Sequence, residues 1–427
     1  MKTDKLSLFK YTLPLIFSGL AEQLLLLTDV FLISFKGEIY LATIGLIDAF
    51  LLCSLSYGFA LNDTFQNFYS RNIEKSTLTK SVYQKSILVF LKHAIIISVL
   101  FSIIAYCVNI VFSNDIYQLF LENVPIVIPL IILNYISMSM NAFLLGLGRT
   151  KPIGIISSIC IVINALLGYF FLFEIKLQIS PLAIILYTSI IAEIIGIMMM
   201  WKVIRKSTPE ILNPAPIKQK LLVTMRDASY YPAFSDLSFH IGSFILFLFC
   251  STYFELNEVA LLTMVLSYWG VLLVPTEAFS ETALNYFSSI YSKKKPDLYQ
   301  TLKENIIETS LVVSGGILIV LVLLDYILYG IDIDKLILLL IVSIIVFITN
   351  FNEIFSISLI VRLKNNLFAT SKVIYGCVAV ILIVTLTFLW RNGAISILLS
   401  LLFAQIAMCL FLKTKSNEIW KNSSKLH

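Results

Sequence analysis

The chain has 427 residues, 59% of them hydrophobic and 13% charged, with a mean hydropathy of +0.91. Soluble domains carry about a quarter charged residues, so this composition excludes an ordinary water-soluble domain and makes lipid the solvent. The net charge of +5 argues for nucleic acid only if the basic residues share one patch, and they do not.

Apolar runs follow one another near residues 8–35, 41–64, 86–112, 118–148, 153–174, 180–203, 229–252, 259–286, 305–330, 335–361, 370–390 and 394–414. Each is long enough for a helix across a hydrocarbon core of about 30 Å. Barrel strands would be about half as long and would alternate in polarity. The predicted fold class is therefore all-α integral membrane, with twelve transmembrane helices. The first run is too long for a signal-peptide core and has no small-x-small site, which predicts no cleavable leader.

With the N-terminus inside, 27 of the 31 Lys and Arg residues fall on inner segments, and only Lys36, Lys176, Lys335 and Arg391 fall outside. That asymmetry predicts both termini in the cytoplasm. It also removes nucleic acid as a partner, because the basic residues mark topology. Cys53, Cys107, Cys160, Cys250, Cys377 and Cys409 all lie in apolar runs without a C-x-x-C pair, so neither disulfides nor a metal site is expected.

The longest loop lies at mid-chain and holds Pro209, Pro214 and Pro216. An internal match at an offset of 218 supports two halves. Pro14 falls on Pro232, and the segment 60–70 falls on 278–288, with Ala60/Ala278, Thr64/Thr282, Asn67/Asn285 and Ser70/Ser288 identical and Asp63/Glu281 both acidic. The predicted domains are a six-helix bundle over 1–206, a cytoplasmic linker over 207–226, a second bundle over 227–414 and a tail over 415–427. An even number of crossings per half implies a pseudo-twofold along the membrane normal.

Ionisable groups at membrane depth cost about 2.5–3.5 kcal/mol each, so each needs a reason. In the first run Glu22 and Asp29 are two turns apart on one face. A carboxyl shielded from water exchanges protons nearer neutral pH than a solvated one. Asp236 and His240 are one turn apart in the seventh run, and such a pair can titrate near neutrality. Of Asp48, Glu193 and Glu353, the last, beside Asn350 and Asn352, is the best candidate for a second-half cavity residue. Asp63, Glu277 and Glu281 stand near inner ends, as gating candidates with Arg71, Lys80 or Lys303 as partners. Asp325, Asp332 and Asp334 read as solvated edge residues. For each buried acid the competing reading is structural, a carboxylate tied to neighbouring polar groups.

In this order the chain resembles the MATE (multidrug and toxic compound extrusion) family. The residues that carry the resemblance are Leu13-Pro14, Thr28-Asp29-Val30, Leu41-Ala-Thr-Ile-Gly-Leu46, Gly58, Gly146-Leu-Gly148-Arg149-Thr150-Lys151, Asn164 and Pro232. The resemblance implies a secondary active exporter of small organic, possibly cationic, compounds, a proton- or sodium-coupled antiporter working by alternating access in the cytoplasmic membrane. It implies a coupling-ion site that includes Asp29 and Asn164 and a functional place at His240; by position Glu22 joins the coupling-ion site, and Asp236, Glu353 and Asn352 join His240 as second-half substrate-cavity candidates. Three features depart from the family: few glycines, no glycines at Ser70-Arg71-Asn72-Ile73, and Gly168 where many members have an aspartate. The last removes a sodium ligand and favours the proton.

A flippase of lipid-linked saccharides or peptides would want a basic cavity, yet no arginine lies deep in a run. The major facilitator fold lacks its loop motif between Gln66 and Tyr83. An integral-membrane transferase would need clustered His, Asp or Glu at one interface, and the chain has three histidines. No enzyme activity and no cofactor beyond H+ or Na+ is expected. The expected partners are a small-molecule substrate and membrane lipid, with the chain a monomer.

Overall fold

The computed structural model describes residues 4–72, 76–110, 112, 114–175, 178–207, 219–292, 297–329, 333–362, 364–389 and 393–424, without certain side chains inside helices. The described residues form twelve α-helices and no strand. They are α1 Lys5–Ser34, α2 Glu38–Arg71, α3 Ser76–Val108, α4 Asp115–Gly146, α5 Thr150–Tyr169, α6 Pro181–Ser207, α7 Gln219–Tyr253, α8 Leu256–Ser292, α9 Asp297–Tyr329, α10 Ile333–Ile360, α11 Asn365–Leu389 and α12 Gly393–Ser424. Among the described residues, ten helices are long and apolar enough to cross a membrane. The other two, α1 and α7, have 30 and 35 residues.

The helices are longer than the apolar runs, because a helix does not stop where the hydrocarbon does. α8 has 37 residues, about 55 Å at 1.5 Å per residue. Two sequence expectations change for this reason. The end of the 207–226 linker is helix from Gln219, its 208–218 portion lying outside the described residues. The tail expected from 415 continues α12 through Ser424, where Lys415 and Glu418 pair at 2.9 Å one turn apart.

Turn chemistry ends the helices locally. α4 stops at Gly146-Leu147-Gly148, where Gly148 has φ +71°, a conformation that a side chain disfavours. The Gly148 N–H donates to the Leu145 carbonyl and the Arg149 N–H to Leu144, both at 2.8 Å. This paired closure satisfies the last carbonyls of the helix. Pro14, Pro125, Pro129, Pro232 and Pro275 sit inside helices, as spanning helices tolerate.

By contact the chain parts into two compact units: Met1–Gln23 with Leu261–His427, and Leu24–Ala260. These are not the 1–206 and 227–414 halves read from the repeat. Each unit takes in helix from the other half. α7 packs along α2 in the second unit. The start of α1 packs on α8 in the first, where a Cβ at Gly19 would lie 2.8 Å from Val274 Cγ1.

The repeat reappears in those pairings. Thr282 bonds its own Ala278 carbonyl at 3.0 Å and faces the buried Thr12 hydroxyl of α1 at 2.8 Å. Its counterpart Thr64 bonds the Ala60 carbonyl at 2.8 Å and accepts from Ser229 of α7 at 3.0 Å. In each case a threonine of the repeated segment holds the first helix of the opposite half.

Candidate functional site

Asp29 stands on the last two turns of α1 and is 5% exposed. A charged group this deep requires hydrogen-bond partners, and two other helices supply them. Asn164, fully buried on α5, donates from Nδ2 to Asp29 Oδ1 at 2.7 Å. Ser189 on α6 donates from Oγ to Asp29 Oδ2 at 3.1 Å and lies 3.5 Å from Asn164 Oδ1. The two carboxylate oxygens, the amide oxygen and the hydroxyl therefore converge from α1, α5 and α6. Such an oxygen cluster can hold a proton on the carboxyl or a hard cation among its oxygens.

Gly168 is one turn beyond Asn164. A Cβ there would meet Leu32 Cδ1 at 3.0 Å, Ile185 Cδ1 at 3.4 Å and Thr188 Oγ1 at 3.8 Å. The space that an aspartate would use is lined by α1 and α6 side chains next to the acid. Asp48 of α2 is the other acidic group whose charge acts on Asp29.

Towards the end of α1 the site is flanked by aromatic rings. Phe31 and Phe35 are edge to face at 5.0 Å, and Phe35 reaches Phe173 at 6.3 Å. α5 finishes in one wide π-type turn, Phe170–Glu174, closed by the Ile175 N–H on the Phe170 carbonyl at 3.0 Å. Turns of this kind recur at functional sites. Lys36 donates to the Leu172 carbonyl at 2.8 Å and sits 4.2 Å over the Phe173 ring, pinning the turn to α1.

Of the other coupling candidates, the Glu22 side chain lies outside the described residues. Asp236 and His240 are half-buried on α7. Since α7 packs on α2, they fall in the same contact unit as Asp29. Asn352 is tied inside its own bundle, donating to the Gln405 carbonyl at 3.1 Å and to Gln405 Oε1 at 2.6 Å. Glu353 lies 3.9 Å from Lys372 Nζ of α11.

Of the gating candidates, Asp63 belongs to one unit and Glu277 and Glu281, one turn apart on α8, to the other. Asp63 and Glu277 are exposed and Glu281 is partly so. Asp63 accepts from its neighbour Asn62 at 3.3 Å, and the charge of Glu281 acts on the Tyr11 hydroxyl. The Arg71 side chain lies outside the described residues. Lys303 is buried beside Tyr299 and Phe355.

Two features escaped sequence reasoning. Ser189 was legible only as a polar break, Tyr187-Thr188-Ser189, in an apolar run. Asp325 is not a solvated edge residue. Its carboxylate pairs with Lys335 and accepts from the Tyr268 hydroxyl at 2.8 Å. The side chains of Lys335 and Asp325 are 5% and 12% exposed.

Solved structures share this architecture over nearly the whole chain. An outward-facing multidrug resistance MATE family transporter of the MOP superfamily is 14% identical, with a TM-score of 0.75 over 98% of this chain and 97% of that one. An inward-facing one is 15% identical, with a TM-score of 0.74 over 94% and 96%. A MOP superfamily transporter from Pyrococcus furiosus, described as having a binding pocket of reverse polarity suggestive of a different function, is 13% identical at a TM-score of 0.74 over 97% and 96%. Residues 14–170 match the model of the MatE family. The chain has the MATE fold and a MatE region. That region holds Asp29, Asn164 and Gly168, while Ser189 comes from beyond it. At these identities the MATE likeness is one of fold. No curated protein matches the chain by sequence.

Proposed function

We propose that the protein is a secondary active exporter in which an inward-moving cation, by preference the proton, exchanges at Asp29 against a small organic substrate. One observation carries the reading: a buried carboxylate in the MatE region, bonded on both oxygens by side chains from two other helices. A group that must be stable both charged and neutral needs donors that hold the charge and an apolar surround that accepts the neutral form. Gly168 in place of a second carboxylate supports the proton over sodium, because a metal ion gains more than a proton does from an additional charge.

Loading the site changes the local charge by one unit, and a ligand shifts a two-state equilibrium only through such a difference between the states. Inward- and outward-facing relatives of the same fold support alternating access. Charge asymmetry supports cytoplasmic termini. The proton gradient is sufficient in scale: one charge across 100 mV is worth about 2.3 kcal/mol.

The test is transport in proteoliposomes under imposed pH or sodium gradients. Substrate efflux driven by a pH gradient and lost in Asp29→Asn supports the reading. Gradient-driven efflux that survives in Asp29→Asn removes Asp29 from the coupling, and sodium dependence without a pH effect overturns the ion.

A further inference from the structure

We propose that the end of the bundle where α9 begins and α10 and α12 finish carries a binding site for the phosphate of an anionic lipid headgroup, centred on Lys303. This goes beyond the transport reading and does not depend on it. Lys303 is on the second turn of α9 and only 8% exposed. A buried ammonium without a counter-charge is costly. Among the described residues no carboxylate lies within ion-pair distance of Lys303. Its Nζ faces two rings instead, 5.5 Å from the Tyr299 centroid and 5.6 Å from that of Phe355. Even desolvated, ring faces near the limit of about 6 Å return about 2 kcal/mol each, against several kcal/mol for burying the ammonium, so the pocket suits a cation that still awaits an anion.

The surroundings add positive charge. Lys413 of α12 is within electrostatic reach of Lys303. Arg362, just past α10, acts on the Tyr299 hydroxyl of the same wall. The opposing acid is Glu304, which is exposed and bonded by Gln300. Basic pockets between spanning helices at a membrane face are where anionic headgroups bind. A lipid source is favoured over a free anion because Lys303 lies within a membrane-length segment, Leu298–Ile327. From about two and a half to five turns further along, α9 exposes apolar residues to the lipid side at Val312, Ile319 and Val320.

The full-length protein, purified in detergent, would be mixed with phosphatidylglycerol, phosphatidylcholine or inorganic phosphate and analysed by native mass spectrometry. Phosphatidylglycerol should be retained and phosphatidylcholine not. Lys303→Met should weaken retention at least about tenfold, the worth of one hydrogen bond to a charged group, and Lys303→Arg should restore it. Binding of inorganic phosphate with no lipid retention would overturn the lipid source and leave a soluble anion at the same cation. Equal phosphatidylglycerol retention by the wild type and Lys303→Met overturns the site and leaves Lys303 a lysine reaching interfacial water. If Lys303→Met does not fold, the exposed Lys413 carries the test. Lys413→Gln should lose about fivefold, and no loss overturns the site.

Discussion

The Asn164 side-chain amide of α5 donates a 2.7 Å hydrogen bond to Oδ1 of Asp29 on α1, joining residues 135 apart in sequence inside a fully buried setting. The bond makes the protonation state of one helix a matter of contact with another. In Asp29→Asn the shape is kept and the charge is removed. Stimulation of transport by an ion gradient should fall at least about fivefold, the lower end of usual coupling energies, while the unfolding temperature stays within a few degrees. Proteoliposome flux measured alongside thermal unfolding separates the two effects.

Removing the donors tests the same site by stability. Asn164→Ala leaves a buried carboxylate oxygen without its closest partner and should cost about 1–3 kcal/mol. Ser189→Ala removes a longer bond, 3.1 Å, from a residue 8% exposed, and should cost less. Thermal unfolding in detergent ranks the two. A larger loss at Ser189 would mean that Oδ1 is not the better-held oxygen.

Gly168 is the position at which a second carboxylate can be added. Gly168→Asp adds a carboxylate one turn from Asn164, with Leu32 Cδ1 3.0 Å from its Cβ and able to turn aside. Sodium should then stabilise the protein against heat, as any ligand of the folded state does, whereas Gly168→Asn should show no such gain. Absence of a sodium effect in Gly168→Asp would show that the cluster does not take a metal ion.

The pair Lys335–Asp325 is buried, with side chains 5% and 12% exposed. Removing one partner strands the other charge and should cost about 3–5 kcal/mol, while an apolar pair of similar size restores most of it. Asp325→Leu and Lys335→Met should each lower the unfolding temperature sharply, and the double variant should recover. Additive losses in this cycle would contradict a mutual ion pair.

Gly58 packs α2 on α4: a Cβ there would stand 2.7 Å from Met138 Sδ and 3.1–3.2 Å from the Tyr135 ring. Met138 is flexible, but Tyr135 is held by its bond to the Ser54 carbonyl at 3.0 Å. Gly58→Val should therefore cost about 1–3 kcal/mol by overpacking, read as a lowered unfolding temperature.

Much of this was legible without coordinates, and the particular residues show why. Asp29 stood out because a charge in an apolar run is rare enough to demand a role. Asn164 was visible only through resemblance, since an asparagine in a span is common and says nothing of its partner. Ser189 could not be chosen from the many hydroxyls in the runs, because its role depends on where α6 meets α1. Asp325 was misjudged for the same reason: proximity to a run end suggests water, and only the arrival of Lys335 and Tyr268 removes it.

The sequence by itself determined that the chain is a helical membrane protein with a repeated segment, because hydrophobic length and charge asymmetry act through the solvent and need no knowledge of contacts. Only the tertiary structure decided which helices share a unit. It set α1 against α8 and α7 against α2, and through Thr282 and Thr64 it turned a sequence repeat into paired contacts across the halves. It also completed the Asp29 site with a serine 160 residues away. Local pattern decides what a segment can be. Which distant segment satisfies its buried polar groups is decided by packing, where an unmet hydrogen bond costs about 1–3 kcal/mol, more than the helix propensity of any ordinary residue.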